Sequence, residues 1–302
     1  MLRTLALSQR QLPVAAIREV TNLRVCGKIL REMRSNSERN LKLDGRELLS
    51  WLAASGRTVF TMADALEHWP GRRGTLWDLL ARLADRGWVE RLSRGRYLII
   101  PVEAGLSKQY TLPAMVLATQ VVSHSAVSFW SALSYHGLTE QIPDAVYVET
   151  SKAHVPNVRD YGGTRIRIVR LPPFRIFGQT TAWFGEQSAP VTDLEKTLVD
   201  GLFLPALCGG MAEVVKGFVE ARERINWDRM TEYAQRMKRG AIFKRLGVIG
   251  ERLGMGRDHL DAWRRHAMTA GPTYFDPAGP KRGQAVRGWR IVLNMPLQEF
   301  VR

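Results

Sequence analysis

Apolar residues recur at helical spacing in three short segments that follow one another between residues 45 and 86. The segments run over 45–54, 62–68 and 75–86, with Thr61 as the N-cap of the second and Gly87 ending the third. In the third segment four leucines occupy positions i, i+3, i+4 and i+7, namely Leu76, Leu79, Leu80 and Leu83. This spacing predicts an amphipathic helix that buries the leucines and turns Asp78 and Arg82 outward.

The residues after the third segment predict two strands around a Ser93-Arg94-Gly95-Arg96 tip. Three helices followed by a hairpin are typical of a winged helix-turn-helix domain, here over 43–102. In such a domain one helix enters the major groove of DNA, and the hairpin meets the phosphate backbone or the minor groove. The predicted DNA-binding residues are Arg72, Arg73, Thr75, Asp78, Arg82, Arg94 and Arg96. The alternative is that these arginines form a solvated face, or that the domain contacts only protein.

Beyond residue 103 the pattern predicts a mixture of helices and strands. Helices are predicted over 112–122, 125–136, 192–201, 211–223, 228–238, 241–253 and 258–266. Strands are predicted over 145–150, 164–170, 174–177, 181–184 and 289–294, and 270–280 is predicted to be irregular. Thr192 and Glu195 are spaced as the two ends of a capping box.

The fold class predicted from these elements is α+β, with an N-terminal winged helix-turn-helix domain and a larger mixed α/β domain. We expect four regions. They are a basic helical N-terminal segment over 1–42, the DNA-binding domain over 43–102, the mixed domain over 103–270, and a C-terminal tail with one strand over 271–302.

Charge and composition narrow the class of partner. The 302 residues include 44 Lys+Arg and 29 Asp+Glu, a formal net charge of +15 that favours a nucleic-acid partner. No apolar run is long enough for a membrane span, and the N-terminus lacks a secretion signal, so a cytoplasmic location is expected. The two cysteines, Cys26 and Cys208, form no CxxC pair, and the histidines show no metal-ligand spacing. We therefore expect no metal and no cofactor.

Several motifs in the second region resemble a known family. The run from Ser125 to Thr139, the Thr192–Asp200 box, the Gly209-Gly210 turn and the Arg245-Leu246-Gly247 element are similar to those of AbiEi-type antitoxins. Together with the predicted winged helix, the resemblance covers about residues 45–255. It implies the antitoxin of a type IV toxin–antitoxin pair, which represses its own operon through the winged helix. It also implies a nucleotidyltransferase-like toxin as the functional partner, opposed without a stable complex.

Two further expectations follow for DNA and for the toxin. Because one winged helix reaches few base pairs, we expect an operator with an inverted repeat, read by two copies. Neutralisation of the toxin is expected to belong to the second region. The candidate antitoxin surface is the strand that carries Arg165, Arg167 and Arg170, together with exposed residues of the Thr192–Asp200 helix. On an alternating strand Arg165 and Arg167 share one face. The alternative is that this face is simply the solvated side of a sheet.

The alternative function is that of a metal-dependent nuclease targeted to DNA by the winged helix. Asp144, Glu149 and Lys152 are its candidate residues, but their spacing fits a nuclease motif poorly. A second acidic group, Glu195 and Asp200 with Lys196, is predicted to be structural, with Glu195 serving the helix cap. No catalytic residue is predicted, and we expect the protein not to be an enzyme.

Overall fold

A computed structural model describes residues 45–100, 112–153, 156–161, 163–267, 271 and 273–297, and the predicted segment over 1–42 lies outside them. The chain divides into two compact units, one within Met1–Lys108 and the other within Gln109–Arg302. The architecture is mixed α+β, as the sequence predicts. Among the described residues, no helix is both long enough and apolar enough to cross a membrane.

The first unit alternates helices and strands in the order α1, β1, α2, α3, β2, β3. Their bounds are α1 (45–54), β1 (Val59–Thr61), α2 (Met62–Leu66), α3 (Arg73–Asp85), β2 (Val89–Ser93) and β3 (Arg96–Ile99). The three strands form an antiparallel sheet in the order β1-β3-β2. The three predicted helices and the predicted hairpin are present, whereas the short strand β1 was not predicted.

The leucine stripe of α3 provides the core of this unit. Leu76, Leu79, Leu80 and Leu83 are buried against Phe60 and other apolar residues of the sheet and helices. The predicted cap of α2 is confirmed: Asp64 N–H donates to Thr61 Oγ1 at 3.2 Å, and Thr61 N–H donates to Asp64 Oδ2 at 2.6 Å. These reciprocal bonds satisfy two amides that the first helical turn would otherwise leave unpaired.

The second unit is built on a six-stranded mixed sheet in the order β6-β7-β5-β4-β9-β8. The strands are β4 (Ser125–Val127), β5 (Val146–Thr150), β6 (Val158–Tyr161), β7 (Thr164–Arg170), β8 (Gln179–Phe184) and β9 (Gln187–Thr192). The pairs β5–β7 and β4–β9 are parallel, and the remaining pairs are antiparallel. The predicted strands over 145–150, 164–170 and 181–184 are confirmed as β5, β7 and part of β8.

Seven helices and a small sheet complete the described part of this unit. The helices are α4 (Ala114–Val121), α5 (Phe129–Tyr135), α6 (Leu194–Phe203), α7 (Met211–Ala221), α8 (Trp227–Arg236), α9 (Gly240–Arg252) and α10 (Arg257–Ala267). The small sheet has the order β10-β12-β11, with β10 (Thr273–Tyr274), β11 (Gln284–Val286) and β12 (Ile291–Leu293). Nearly every residue of α6 is buried, so this helix forms the centre of the core. No residue over 192–200 is exposed, so the expectation that this helix contributes to an antitoxin surface was wrong.

Several predictions for the second unit were wrong, each for a local physical reason. Ser125–Val127 was expected to begin a helix but forms β4, because all three residues are buried between β5 and β9. The predicted strand over 174–177 is replaced by a 3-10 turn at Pro173–Arg175, since the proline there cannot donate to a sheet. Part of 270–280 is ordered as β10, and the predicted strand over 289–294 shortens to β12.

The start of α6 also differs from its prediction. Thr192 is the last residue of β9, and Asp193 is the N-cap, accepting from Lys196 N–H at 2.8 Å. Glu195 therefore does not close a capping box. Its carboxylate accepts instead from Asn226 N–H at 2.8 Å and lies 3.5 Å from Arg229 Nη1, so that it joins α6 to the start of α8.

Candidate nucleic-acid interface

Helix α3 begins two residues earlier than its sequence indicated. Its first residue is Arg73 and its N-cap is Arg72, so Arg73 belongs to the helix rather than to the preceding turn. The turn itself is tight, since a Cβ at Gly71 would lie 2.7 Å from the Trp69 indole nitrogen. Both arginines are exposed at the positive end of the helix dipole, where backbone N–H groups also favour an anion.

Thr75 has an internal role in this turn. Its hydroxyl donates to the carbonyl oxygen of Arg72 at 2.7 Å and lies 3.3 Å from the Trp69 indole nitrogen, which donates to it. The Thr75 hydroxyl, which was predicted to contact DNA, is therefore already engaged in two hydrogen bonds within the protein. We conclude that Thr75 ties the first turn of α3 to the indole of Trp69.

The outer face of α3 carries two small residues as well as charged ones. Gly74 and Ala81 are exposed, as are the predicted contact residues Asp78 and Arg82. Among residues 45–100, no ion pair involves Asp78 or Arg82, although they lie one helical turn apart. A face with small residues permits close approach, and its free charged groups can contact a ligand.

The hairpin places Arg94 at an exposed tip. Arg94 and Gly95 form the turn between β2 and β3, with Gly95 at φ +73°, in the left-handed region that suits glycine. Arg96 differs from the expectation of a fully exposed side chain. It is half-buried and stands opposite Thr61 in the sheet register.

An exposed aromatic residue on α3 was not among the predicted contact residues. Trp77 retains 40% exposure, and the guanidinium carbon of Arg91 on β2 lies 5.3 Å from its ring centroid. This cation–π contact brings another arginine of the hairpin beside the outer surface of α3. The sequence does contain an indication of this exposed residue: Trp77 directly follows Leu76 and so lies outside the i, i+3, i+4, i+7 positions of the leucine stripe.

In the second unit, the arginines of β7 are placed as their alternation predicts. Arg165 and Arg167 are exposed, while Ile166 and Ile168 are buried. Both arginines have partners: Arg165 Nε lies 3.8 Å from Asp160 Oδ1, and Arg167 donates to the Tyr147 hydroxyl at 3.3 Å. Arg170 is exposed at the end of the strand, one residue out of phase with the other two.

The acidic residues predicted from the sequence do not form one site. Asp144 is exposed in the bend before β5, whereas Glu149 is fully buried near the end of that strand, so the two carboxylates do not face a common site. Lys152 donates to Ser123 Oγ at 2.9 Å. No group of three metal-ligating side chains occurs within the described residues. Asp144, Glu149 and Lys152 therefore do not form the cluster around a metal ion that the nuclease alternative requires.

Glu149 instead belongs to a buried ionic cluster with Lys196 and Asp200. Lys196 Nζ donates to Glu149 Oε2 at 3.2 Å and to Asp200 Oδ2 at 2.5 Å, and all three side chains are fully buried. Burial raises the pKa of Glu149 to about 7, against the opposing effect of Lys196. Burial also raises the pKa of Asp200. Desolvation would lower the pKa of Lys196, but the carboxylates of Asp200 and Glu149 keep that pKa above its usual value.

The residues that resemble the AbiEi motifs meet in the interior of this unit. Ser131 Oγ accepts from Tyr147 N–H at 2.9 Å, and His136 Nε2 donates to the Thr192 carbonyl oxygen at 2.8 Å. Arg245 donates to the carbonyl oxygen of Leu202 at 2.6 Å and to that of Phe275 at 2.9 Å. Ser131 and His136 thus join α5 and the turn after it to the large sheet, and Arg245 joins α9 to α6 and to the residue after β10, which gives these residues structural roles.

Comparison with known proteins informs the fold. No family model matches the sequence, and no curated protein matches it significantly. Among solved structures, the chain is similar to the RV2827C protein from Mycobacterium tuberculosis, with a TM-score of 0.56 and 15% sequence identity. The similarity covers 83% of this chain and 91% of that chain. At this level of identity it shows a shared fold.

Proposed function

We propose that the first unit is a winged helix-turn-helix domain that binds double-stranded DNA, and that the protein is a transcriptional autorepressor. We further propose that it is the antitoxin of a type IV pair, countering a nucleotidyltransferase-like toxin. The observation that carries the DNA-binding proposal is the outer face of α3, where Asp78 and Arg82 are exposed without an ion-pair partner among residues 45–100 and Arg72 and Arg73 lie at the helix start. The order of helices and strands in this unit supports it as well.

The dimensions of α3 suit the major groove. Its 13 residues span about 20 Å, and the groove is wide enough to admit a helix. In this mode Asp78 and Arg82 reach base edges, because Gly74 and Ala81 allow the helix to lie close. Arg72 and Arg73 take phosphates at the helix N-terminus, and Arg94 takes another from the hairpin tip.

Support for the antitoxin proposal comes from the resemblance to AbiEi-type antitoxins. The interior contacts of Ser131, His136 and Arg245 account for these motifs as parts of a fold, so they assign no working surface. The candidate surface remains the exposed β7 strand with Arg165, Arg167 and Arg170. Of these, Arg167 and Arg170 have no ion-pair partner among the described residues, and Arg165 lies 3.8 Å from Asp160.

Fluorescence anisotropy with a labelled duplex from upstream of the gene tests DNA binding. Full-length Arg82→Gln should lose preference for this duplex over an unrelated one, by about 1–3 kcal/mol for a good base contact. The matched control is Arg46→Gln, an exposed arginine of α1 outside the proposed interface. If Arg82→Gln and Arg46→Gln bind both duplexes like the wild type, α3 is not the reading helix.

Growth assays with the neighbouring toxin gene test the antitoxin role. The full-length Arg82→Gln/Arg94→Gln variant should still restore growth from a foreign promoter while failing to repress its own operon. Arg165→Gln/Arg167→Gln should repress normally and restore growth less well. If the DNA-binding variant fails to restore growth although it folds, neutralisation and DNA binding are not separable in the way proposed.

A further inference from the structure

A group of cations and aromatic rings in the second unit lies outside every surface considered so far. It is formed where the 3-10 turn at Pro173–Arg175 meets the end of α8. The members of this cationic–aromatic patch are Phe174, Arg175, Phe203, Arg236, Lys238 and Arg239. The 3-10 turn and the end of α8 are about 60 residues apart in sequence, so no local pattern reveals the patch.

Reciprocal hydrogen bonds hold the two segments together. Arg175 Nε donates to the carbonyl oxygen of Met237 at 3.1 Å, and Arg236 Nε donates to that of Phe174 at 3.3 Å. Each bond uses the inner nitrogen of a guanidinium group. The two side chains are therefore oriented by the fold, while these contacts leave their terminal nitrogens available to a ligand.

The rings of the patch are surrounded by cations. Arg175 Cζ lies 5.0 Å from the Phe174 centroid and 4.7 Å from that of Phe203, and Lys238 Nζ lies 5.4 Å from Phe174. Phe174 nevertheless remains 42% exposed. With Arg175 and Lys238 over the ring, the part of Phe174 that stays exposed can stack on an aromatic ligand, and the two cations attract an electron-rich one.

The charges of the patch are not neutralised within the described residues. No ion pair involves Arg175, Arg236, Lys238 or Arg239, and Glu232, one helical turn before Arg236, is not within ion-pair distance. Desolvation and the nearby Arg239 lower the pKa of Arg175, which shows that like charges are crowded here. Crowded, unpaired cations favour a polyanion.

Lys238 occupies a backbone position that suits glycine better. It follows the C-cap of α8 at φ +53°, in the left-handed region, which is unfavourable for a side chain with a Cβ. A glycine would end the helix more easily but would supply no charge. The lysine is thus placed at a conformational cost where its ammonium group reaches Phe174.

We propose that the cationic–aromatic patch binds single-stranded nucleic acid, with a base stacked on Phe174 and phosphates bound by Arg175, Arg236, Lys238 and Arg239. A single strand fits better than a duplex, because only an unpaired base can present its face to a protein ring. It fits better than an acidic protein segment, which would engage the cations but leave the exposed ring without a role. This surface is separate from the duplex-binding face proposed for the first unit.

The test uses full-length protein and fluorescein-labelled 12-nucleotide oligo(U) and oligo(dT), followed by anisotropy at low salt. Phe174→Ala should weaken binding roughly 5- to 150-fold, the range expected for loss of one stacked base, and Phe174→Tyr should restore most of it. Lys238→Gly should weaken binding and lower the salt slope by about 0.7, yet raise the melting temperature. Arg222→Gln/Arg257→Gln, which removes two exposed charges outside the patch, should change little.

The outcomes separate this proposal from the one for the first unit. If the first unit binds the duplex as proposed, Arg94→Ala should weaken that binding and leave oligo(U) binding unchanged. The binding of oligo(U) by the wild type does not depend on the result of the operator experiment. The proposal is overturned if the wild type binds neither oligonucleotide, or if Phe174→Ala binds like the control variant. It is also overturned if Lys238→Gly abolishes binding while Phe174→Ala has no effect, since the oligonucleotide would then be bound by charge alone, without a stacked base.

Discussion

The backbone N–H of Met62 donates to the carbonyl oxygen of Gly95 at 2.9 Å, joining the first residue of α2 to the hairpin turn. Beside this bond, Arg96 stands opposite Thr61 in the sheet register. The tip that carries Arg94 is therefore fixed to the helices instead of moving as a free loop. A change of the Arg94 side chain should remove a contact with DNA without displacing the hairpin.

Arg94→Ala tests this directly. Because Arg94 is exposed and the turn is held by Gly95, we expect no loss of thermal stability. Binding should weaken on operator and unrelated duplexes alike, and the slope of log K against log salt should fall by about 0.9 for one lost phosphate contact. Anisotropy titrations at several salt concentrations measure both effects. An unchanged slope would exclude Arg94 from the interface.

Gly74→Ala should separate stability from DNA binding. Gly74 lies in the first turn of α3, and a Cβ added there would meet no atom within 4 Å, so alanine should stabilise the helix by about 0.5 kcal/mol. The same methyl group would stand on the face proposed to approach DNA. We expect a higher melting temperature together with weaker duplex binding. Tighter or equal binding would argue against close approach of this face.

Ser131→Ala should destabilise the second unit. The hydroxyl accepts from Tyr147 N–H and donates to the Ala145 carbonyl oxygen, both in the interior, and their loss should cost about 1–3 kcal/mol. Urea unfolding measures the change, and Ser134→Ala, a half-buried serine of the same helix, is the control. Equal stability of the two variants would show that Ser131 is retained for another reason.

The buried Glu149 predicts a pH dependence of stability. Its pKa is about 7 in the folded chain and 4.5 without burial, so its favourable contribution is complete below 4.5 and is lost as the pH rises through 7. Glu149→Gln should flatten the decline in stability between these values. Urea midpoints of wild type and variant, compared at each pH, give the difference. Parallel curves for the two proteins would contradict the assignment.

Elements formed by neighbouring residues could be predicted from the sequence. The four leucines of α3 and the cap of α2 act within one or two helical turns, and the strands β5 and β7 are each at least five residues long. Elements that depend on distant partners could not be predicted. The three residues of β4 carry no period of their own and become a strand because β5 and β9 lie on either side.

In the candidate sites too, contacts between residues close in sequence could be predicted, and contacts between distant residues could not. Arg72, Arg73, Arg82 and Arg94 lie within 23 positions of each other, so a local motif predicts that they share a surface. Glu195 was misassigned because its partners, Asn226 and Arg229, come from another part of the chain. The contact between Phe174 and Lys238 joins residues 64 positions apart, and only the fold reveals it.

The position of β4 at the centre of the large sheet has a consequence for synthesis on the ribosome. Its parallel partner β9 contacts it through Val191, so the sheet cannot close until that residue has left the exit tunnel. The first unit needs only the residues up to Ile100 for the contacts described within it, and N-terminal domains generally fold first during synthesis. A nascent chain stopped before residue 191 would therefore carry a folded first unit joined to an incomplete, aggregation-prone sheet.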